Sequence, residues 1–233
     1  MTPDKQKQAA AAAALDYIKP GMKVGLGTGS TAAHFVALLG AKVKQGLDVE
    51  CVPTSNATAK QAKDLGIKLT TLEKHPVLDI AVDGCDEFDP KLNLIKGGGG
   101  ALLLEKIVAA SSRAIVIIAD ESKQVATLGK FSLPIEIVPF GIKATAFKID
   151  RTLGHLGLKG KIVLRGAEGK PFRTEGGHAI LDVNIGKIPD IARLSQFLTM
   201  IPGVVEHGLF IDLCTTLIMG TKSGVKTFNR AAT

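Results

Sequence analysis

Short apolar runs alternate with polar or glycine-rich breaks and helix-like stretches through the first half of the chain. Because β-branched runs that alternate with segments of helical period are typical of βα units, this half predicts a parallel sheet covered by helices. Open sheets of this kind bind ligands beyond the carboxyl ends of their strands. We therefore expect one ligand-binding edge, formed by the breaks that follow the runs. The runs are residues 23–26, 49–52, 78–82 and 114–119, and the breaks after them are GTGST, PTSN, DGCDE and ADESK.

The pattern changes after residue 130 to strand, helix, strand, strand, helix, strand. That order is the split arrangement of a ferredoxin-like subdomain, and its glycine-rich segment 166–177 predicts a mobile hairpin connection. Apolar segments at 208–220 and 224–228 predict two last strands that rejoin the first sheet. The predicted fold class is therefore α/β, an open, mostly parallel Rossmann-like sheet with helices on both faces, plus a smaller ferredoxin-like α+β subdomain. The predicted bounds are 1–130 with 208–233 for the Rossmann-like domain and 131–207 for the subdomain.

The composition indicates a folded globular protein whose partners are anionic. Of its 233 residues, 45% are hydrophobic and 22% are charged, and the formal net charge is +7. Because only 4% are aromatic and the lysines are dispersed, a phosphorylated small molecule fits this charge better than a nucleic acid does. The alternative, that the excess lysine only keeps the protein soluble, stays open.

The cysteines and the N-terminal segment bear on the cellular compartment. Cys51, Cys85 and Cys214 form no CxxC pair, which argues against a disulfide framework or thiolate zinc site and favours a reducing, cytoplasmic compartment. The alanine run at 9–14 superficially resembles a signal peptide, but alanine is weakly hydrophobic and Asp16 follows, so a surface helix is favoured. Every apolar run is far shorter than the ~18 residues of a membrane span, so no membrane partner is expected.

The segment GLGTGST, residues 25–31, lies between a predicted strand and a predicted helix. Backbone N–H groups at a glycine-rich helix start, together with hydroxyl groups, form a cradle for an anion. No GK[ST] follows, so the segment is not a P-loop, and the dinucleotide fingerprint fails because Ser30 replaces its third glycine. The segment predicts phosphate binding without a nucleotide. The alternative is a tight turn with a Ser/Thr helix cap.

Two carboxylates follow the third apolar run in the sequence Asp83-Gly84-Cys85-Asp86. At this spacing in a glycine-containing turn they could bind sugar hydroxyls, move protons or chelate Mg²⁺. One of them could equally cap a turn. Cys85 beside them could be reactive, or it could be a small buried residue.

Four consecutive glycines, residues 97–100, follow Lys96. They cost backbone entropy, and they would let a substrate approach the backbone while N–H groups and the Lys96 ammonium face it. Glu105 follows among leucines, and a partly desolvated carboxylate there suits a base that removes a proton from carbon. The alternative for Glu105 is a solvated helix face. After the fourth run, Lys123 would add a positive charge at the same edge, and the five histidines show no metal spacing.

Six segments carry these motifs: GLGTGSTAAHF, VDGCDEFD, IKGGGGALLLEKI, IADESKQV, LGKFSLPIEIVP and IPGVVEHGLF. In this order and spacing, and over nearly the whole chain, they resemble the type A ribose-5-phosphate isomerases. One departure is Cys85, where the family often has alanine. The resemblance implies interconversion of D-ribose 5-phosphate and D-ribulose 5-phosphate through an enediolate in the pentose phosphate pathway. It also implies that the enzyme uses no cofactor or metal and is a homodimer or a pair of dimers.

The resemblance also implies a role for individual residues. Glu105 would be the base, Lys96 with the neighbouring glycine amides would stabilise the oxyanion, and Asp83 and Asp86 would bind hydroxyls and assist ring opening. The phosphate would be held by residues 28–31 and Lys123, with Lys7 as a weaker candidate. The implied substrate-binding residues are Thr28, Gly29, Ser30, Thr31, Asp83, Gly84, Cys85, Asp86, Lys96, Gly97, Gly98, Gly99 and Lys123.

Two other classes of protein stay open. A sugar-phosphate sensor on the same fold would need a DNA-binding segment, and residues 1–20 are too short for a helix-turn-helix. A Mg²⁺-dependent sugar phosphatase could use Asp83 and Asp86, although an aspartyl-nucleophile signature is not evident. Its activity would be lost with EDTA.

Overall fold

The structure is a computed structural model that describes residues 1–230. The helices are α1 (Pro3–Ala14), α2 (Ser30–Lys44), α3 (Asn56–Asp64), α4 (Leu102–Ala110), α5 (Ile142–His155) and α6 (Ile191–Thr199), with short 3₁₀ helices at Leu15–Tyr17 and Glu121–Lys123. The strands are β1 (Lys23–Leu26), β2 (Glu50–Pro53), β3 (Lys68–Leu69), β4 (Ile80–Asp83), β5 (Glu87–Phe88), β6 (Leu94–Ile95), β7 (Ile115–Asp120), β8 (Leu133–Ile137), β9 (Lys161–Leu164), β10 (Gly166–Ala167), β11 (Lys170–Pro171), β12 (Ala179–Asn184), β13 (Val204–His207), β14 (Leu209–Phe210), β15 (Thr216–Thr221) and β16 (Gly224–Asn229).

The chain divides into two compact units, and their bounds differ from the predicted domains. Strand pairing explains the difference, because β6 pairs with β5 on one side and with β14 on the other in a separate three-stranded sheet, and the Val125 amide donates to the Phe88 carbonyl at 3.0 Å. Three segments that the sequence predicts to belong with the large sheet therefore lie in unit 2. They are residues 86–103, 124–130 and 208–211. Residues 231–233 of the predicted first domain lie outside the described residues. Unit 1 comprises 1–85, 104–123 and the chain from Asp212 onward, and unit 2 comprises 86–103 and 124–211.

Unit 1 is built on a seven-stranded sheet in the order β16-β15-β7-β4-β1-β2-β3. Its neighbouring strands are parallel except for the antiparallel pair β15 and β16. The prediction of a mostly parallel open sheet is confirmed. The prediction of two last strands is confirmed in part, because β15 and β16 rejoin this sheet, whereas residues 209–210 of the predicted segment 208–220 form β14 in a separate sheet. Because β7, β4, β1 and β2 are adjacent and parallel, the four polar breaks lie at the same carboxyl edge, as predicted.

Helices cover both faces of this sheet. Along β1, Val24 and Leu26 belong to the core that also contains Phe35 of α2. Since side chains alternate along a strand, Gly25 points to the opposite face, where a Cβ would lie 2.5 Å from Val108 of α4. The glycine therefore allows α4 to approach the sheet closely.

Helix α1 is the predicted N-terminal helix, and its alanine face is buried. Thr2 caps it by accepting the amide of Lys5, and Pro3 stands in its first turn, both of which favour a helix start. Ala10, Ala11 and Ala14 are fully buried in the core of unit 1, while the opposite side of the helix is exposed. The small side chains let the helix lie directly on the sheet.

Unit 2 contains an antiparallel four-stranded sheet in the order β13-β8-β12-β9. With α5 and α6 between the strands, this is the order fourth, first, third, second, and it agrees with the predicted ferredoxin-like arrangement. Ile135 and Leu181 of the sheet form its core with Ile149 and Leu194 of the helices. The predicted hairpin connection is present as the antiparallel pair β10 and β11.

Replacing Gly220 by alanine is expected to destabilise unit 1. A Cβ at this position of β15 would lie 2.0 Å from the carbonyl oxygen of Gln6 and 2.5 Å from its carbonyl carbon, so α1 would have to move. We expect the free energy of unfolding, measured by urea denaturation, to fall by about 1–3 kcal/mol, the usual cost of overpacking.

Gly154 of α5 provides the matched control, because a Cβ there meets nothing within 4 Å. Gly154→Ala should leave stability unchanged or raise it slightly, since alanine is the better helix former. Equal stability of Gly220→Ala and the unsubstituted protein would show that α1 does not pack this closely on β15.

Candidate active site

The predicted site residues are divided between the two units. Those in unit 1 follow the parallel strands of the large sheet or begin α4, and those in unit 2 belong to the chain around β5 and β6. Unit 1 carries Thr28, Gly29, Ser30, Thr31, Asp83, Gly84, Cys85, Glu105 and Lys123, and unit 2 carries Asp86, Lys96, Gly97, Gly98 and Gly99.

The carboxylate of Asp83 connects the loops that follow β1 and β4. It ends β4, is only 6% exposed, and its Oδ1 accepts the amide of Thr28 at 3.1 Å and that of Gly84 at 2.7 Å. Backbone donors of this kind satisfy a buried carboxylate. The approach requires glycine at 27, where a Cβ would lie 2.0 Å from Oδ1. Two motifs that are far apart in the sequence are thereby joined at the sheet edge.

The start of α2 has the geometry of an anion-binding site. Gly29, with φ 111°, precedes the first helical residue Ser30, and the first turn of α2 contains no acidic side chain. The amides at a helix N-terminus and the positive end of its dipole attract anions. Lys7 donates from Nζ to Ser30 Oγ at 3.0 Å, so the weaker candidate from the sequence adds a positive charge here.

Thr28 turns its hydroxyl away from this helix start into a cluster of hydroxyl groups. It donates to Ser55 Oγ at 2.8 Å, Ser55 donates to Thr58 Oγ1 at 3.1 Å, and Thr58 donates to the Gly27 carbonyl at 3.0 Å. A hydroxyl has one proton to donate, so the proton of Thr28 is used within the cluster. The side chain of Thr28 therefore orients the loop, and the phosphate donors proposed for this segment are Ser30, Thr31 and the backbone amides.

Glu105 lies in the first turn of α4 and is only 5% exposed. The solvated helix face that the sequence left open is therefore wrong. Burial deprives the carboxylate of water, while the N-terminal end of the helix dipole favours its negative charge. A carboxylate in this setting is chemically able to accept a proton, and the helix holds it on a rigid element.

In unit 2, Lys96 leads into the glycine loop, residues 97–100. The side chain of Lys96 is buried, at 3% exposure, and its Nζ lies 5.4 Å from the centre of the Phe210 ring, within the range of a cation–π contact. Gly97 and Gly100 have φ angles of 104° and 83°, which favour glycine over any other residue. A buried ammonium group and left-handed glycines thus define the start of the loop.

Asp86 is the acid that holds the glycine loop. Its Oδ2 accepts the amide of Gly98 at 2.8 Å, and a Cβ at Gly98 would lie 2.7 Å from its Oδ1. Asp86 is itself fixed by its amide, which donates to the Ile95 carbonyl at 2.8 Å. The sequence suggested hydroxyl binding for this residue and did not suggest that it orders the loop.

Lys123 ends the 3₁₀ helix that follows β7 and is partly exposed, so it lies at the carboxyl edge as predicted. Asp120 before it is buried and accepts the amide and the hydroxyl of Ser122, which makes it a turn cap. Over residues 1–230, the His, Cys, Asp and Glu side chains form no group able to hold a metal ion. The described helices also lack the length and apolar character needed to cross a membrane.

The sequence motifs did not predict two features of these loops. The hydroxyl cluster includes Thr54 and Ser55 of the PTSN break, whose position at the carboxyl edge could have indicated it. Arg165 donates to the carbonyl oxygens of Gly97 and Gly98. No local signal marks Arg165, because it is 67 residues from Gly98 along the chain.

Comparison with known proteins identifies the family. The family model of ribose 5-phosphate isomerase A (phosphoriboisomerase A) matches residues 50–224. The chain belongs to this family. A ribose-5-phosphate isomerase A from Rhodopseudomonas palustris (strain HaA2) is 54% identical over 99% of this chain and 100% of its own length. The protein is therefore an isomerase.

Solved structures of ribose-5-phosphate isomerases have the same fold. A D-ribose-5-phosphate isomerase in complex with phospho-erythronic acid is 39% identical, with a TM-score of 0.92 over 99% of this chain and 100% of that chain. The ribose 5-phosphate isomerase of Plasmodium falciparum is also 39% identical, with a TM-score of 0.92 over 98% of this chain and 100% of that chain. The fold class predicted from the sequence is that of the isomerase family.

The three cysteines are expected to differ in reactivity. Burial raises the pKa of Cys51 and of Cys214 to about 12, whereas Cys85 is partly exposed. Because the thiolate is the reactive form, a disulfide reagent such as DTNB at about pH 8 should modify only Cys85 in the native protein. Cys51 and Cys214 should react only after unfolding in guanidinium chloride.

The measurement is the amount of thionitrobenzoate released before and after unfolding. Cys85→Ala is the matched variant, and it should abolish the reaction of the native protein while leaving the reaction of the unfolded protein at Cys51 and Cys214. Rapid release from native Cys85→Ala would contradict the assignment.

Proposed function

We propose that this isomerase interconverts D-ribose 5-phosphate and D-ribulose 5-phosphate through an enediolate, as a step of the pentose phosphate pathway. The observation that carries the proposal is Glu105, a buried carboxylate in the first turn of α4, the helix that begins shortly after Lys96 and four glycines. The family of the chain and the complex of a relative with phospho-erythronic acid, a phosphorylated sugar acid, support a sugar phosphate as the substrate.

The reaction moves one proton from C2 to C1 and one from O2 to O1, and the carbonyl group shifts from C1 to C2. Glu105 removes the proton from C2 of the open-chain aldose, and the electron pair of the C2–H bond forms the enediolate double bond between C1 and C2. The electron pair of the C1 carbonyl moves onto O1, which takes up the proton of the C2 hydroxyl. The protonated Glu105 then returns its proton to C1, and the carbonyl group is left at C2. No atom is gained or lost, so a single carboxylate can serve as base and then as acid.

The negative charge that develops on the sugar oxygens needs donors that are already in place. Lys96 and the amides of the glycine loop supply them in this proposal, and the burial of Lys96 strengthens its interaction with an anion. Asp83 and Asp86 bind hydroxyl groups and assist ring opening. Each of these carboxylates accepts at least one hydrogen bond from a backbone amide. This bonding fixes its orientation.

The phosphate group is held in this proposal at the start of α2, with Lys7 and Lys123 as its positive charges. Amide donors and a helix dipole suit a dianion. The binding energy of the phosphate can then be used to position C1 and C2 for proton transfer.

We also propose a cytoplasmic homodimer or pair of dimers. The sequence resemblance to the family supports the oligomer, and the three cysteines, an odd number with no CxxC pair, support a reducing compartment. Light scattering of the purified protein after gel filtration tests the oligomer, and a monomer at micromolar concentration would contradict it.

One assay separates the proposed function from the two alternatives. Protein dialysed against EDTA should convert ribose 5-phosphate to ribulose 5-phosphate without releasing inorganic phosphate. A sensor would bind the sugar phosphate without turnover. A phosphatase would release inorganic phosphate and would need Mg²⁺ to be restored.

The phosphate anchor predicts a strong preference for phosphorylated sugars. We expect kcat/KM for free ribose to be lower than that for ribose 5-phosphate by ~10²-fold or more, because the binding energy of the phosphate is absent. Lys123→Ala should raise KM for ribose 5-phosphate and leave the slow reaction of ribose unchanged. Similar kcat/KM values for the two sugars in coupled assays would refute the anchor.

Replacing Glu105 by glutamine tests the base. The substitution preserves the shape of the side chain and removes its basicity, so kcat should fall by ~10²- to 10⁴-fold while KM changes little. Exchange of the C2 proton with D₂O, followed by NMR, should fall in parallel because it reports the same proton abstraction.

Glu73→Gln is the matched control, since Glu73 is an exposed acid of the same unit, and it should behave like the unsubstituted enzyme. If Glu105→Gln keeps its kcat and its exchange rate, Glu105 is not the base, and Asp83 and Asp86 become the next candidates.

A further inference from the structure

Arg165 binds the glycine loop through its carbonyl oxygens. The residue follows β9 in unit 2, and its side chain is 16% exposed. Its Nε and Nη2 donate to the two carboxylate oxygens of Asp182 at 2.9 and 2.6 Å. Its Nη1 donates to the carbonyl oxygens of Gly97 at 2.9 Å and Gly98 at 3.1 Å. One guanidinium group thus joins a carboxylate on β12 to two successive peptide groups of the loop.

These bonds fix which way the loop presents its amides. The described chain contains no cis peptide bond, and in a trans peptide the N–H points opposite to the C=O. With the carbonyls of Gly97 and Gly98 directed at Arg165, the N–H groups of Gly98 and Gly99 point away from it. The N–H of Gly98 donates to Asp86. The peptide between residues 97 and 98 is therefore held at both ends, by Arg165 at its oxygen and by Asp86 at its nitrogen.

A run of four glycines needs such bonds in order to keep one conformation. Glycine loses more backbone freedom on ordering than any other residue. Besides Arg165, Phe172 confines the loop, since a Cβ at Gly100 would lie 2.5 Å from its ring. The guanidinium carbon of Arg165 lies 5.8 Å from the centre of that ring, so Phe172 packs against both.

We propose that Arg165, held by Asp182, is a positioning residue for the isomerisation. It fixes the peptide planes of the glycine loop, and through them the amides of Gly98 and Gly99 and the carboxylate of Asp86. This inference rests on the proposed function, in which the loop amides stabilise the enediolate. The planar fork of arginine is required, because only a guanidinium can bind a carboxylate bidentately and still donate to two carbonyls.

Arg165→Lys tests the proposal, because it keeps the charge and removes the fork. We expect kcat for ribose 5-phosphate to fall about 10- to 100-fold, as for a small misplacement of catalytic groups, with KM changed less than about threefold. Asp182→Asn keeps one acceptor for Arg165. It should therefore also lower kcat, but by a smaller factor than Arg165→Lys does. Arg173→Lys is the control, since Arg173 is exposed and donates to the Gly177 carbonyl at 3.4 Å.

Hydrogen exchange of the ligand-free protein measures the order of the loop independently of turnover. The peptide that covers residues 96–101 should exchange at least ~10-fold faster in Arg165→Lys than in the unsubstituted enzyme, because its opening is less costly. Peptides from the large sheet should be unchanged. If the unsubstituted protein does not isomerise ribose 5-phosphate, the proposed function fails, and the exchange result still decides whether Arg165 orders the loop.

Three results would overturn the proposal. The first is unchanged exchange in the glycine loop of Arg165→Lys. The second is an unchanged kcat in an active enzyme. The third is a loss of kcat that is accompanied by faster exchange throughout unit 2, in both Arg165→Lys and Asp182→Asn, because that result indicates a structural role only.

Discussion

The buried carboxylate of Asp83 provides the contacts on which the carboxyl edge of the sheet in unit 1 depends. Strands β1 and β4 are parallel neighbours, with Leu26 opposite Val82, so their loops leave the sheet side by side. Asp83 Oδ1 binds an amide from each loop. The Thr28 hydroxyl extends the connection through Ser55 to the start of α3. One acid and a chain of hydroxyl groups thereby connect the loops that follow three neighbouring strands of the sheet, β4, β1 and β2.

The glycine loop of unit 2 is ordered by the same kind of interaction. Asp86 accepts the Gly98 amide, and Arg165 adds donors to the carbonyls on the other side of the loop. Ordering a glycine is costly because the unfolded chain loses so much freedom. In both units, charged side chains bonded to backbone groups offset this cost. These bonds are all made within the chain, and preorganised donors of this kind stabilise a developing charge most effectively.

The sequence predicts the secondary-structure elements that have a local, periodic pattern of hydrophobic residues. It does not predict features that depend on pairing between residues far apart along the chain. The four parallel strands and the ferredoxin-like order follow from hydrophobic periodicity, and the polar breaks follow from the strand ends. The domain boundary does not, because β5 and β6 are only two residues long and β6 pairs with β14, more than a hundred positions later. The role of Arg165 could not be predicted for the same reason, because its partners Gly97 and Gly98 are far from it along the chain. The inward direction of the Thr28 hydroxyl depends on partners in another loop, which no local pattern specifies.

The glycines of the two motifs are needed for different physical reasons. Most of them are required by the structure itself, and one of them is explained only by the proposed function. Gly27 and Gly98 are required because a Cβ would collide with Asp83 and Asp86, at 2.0 and 2.7 Å. Gly29 and Gly97 are required by their positive φ angles. Gly99 has neither constraint, since its φ is not positive and a Cβ would meet nothing within 4 Å. Its missing side chain leaves room beside its amide, which is what the proposed function demands of this position.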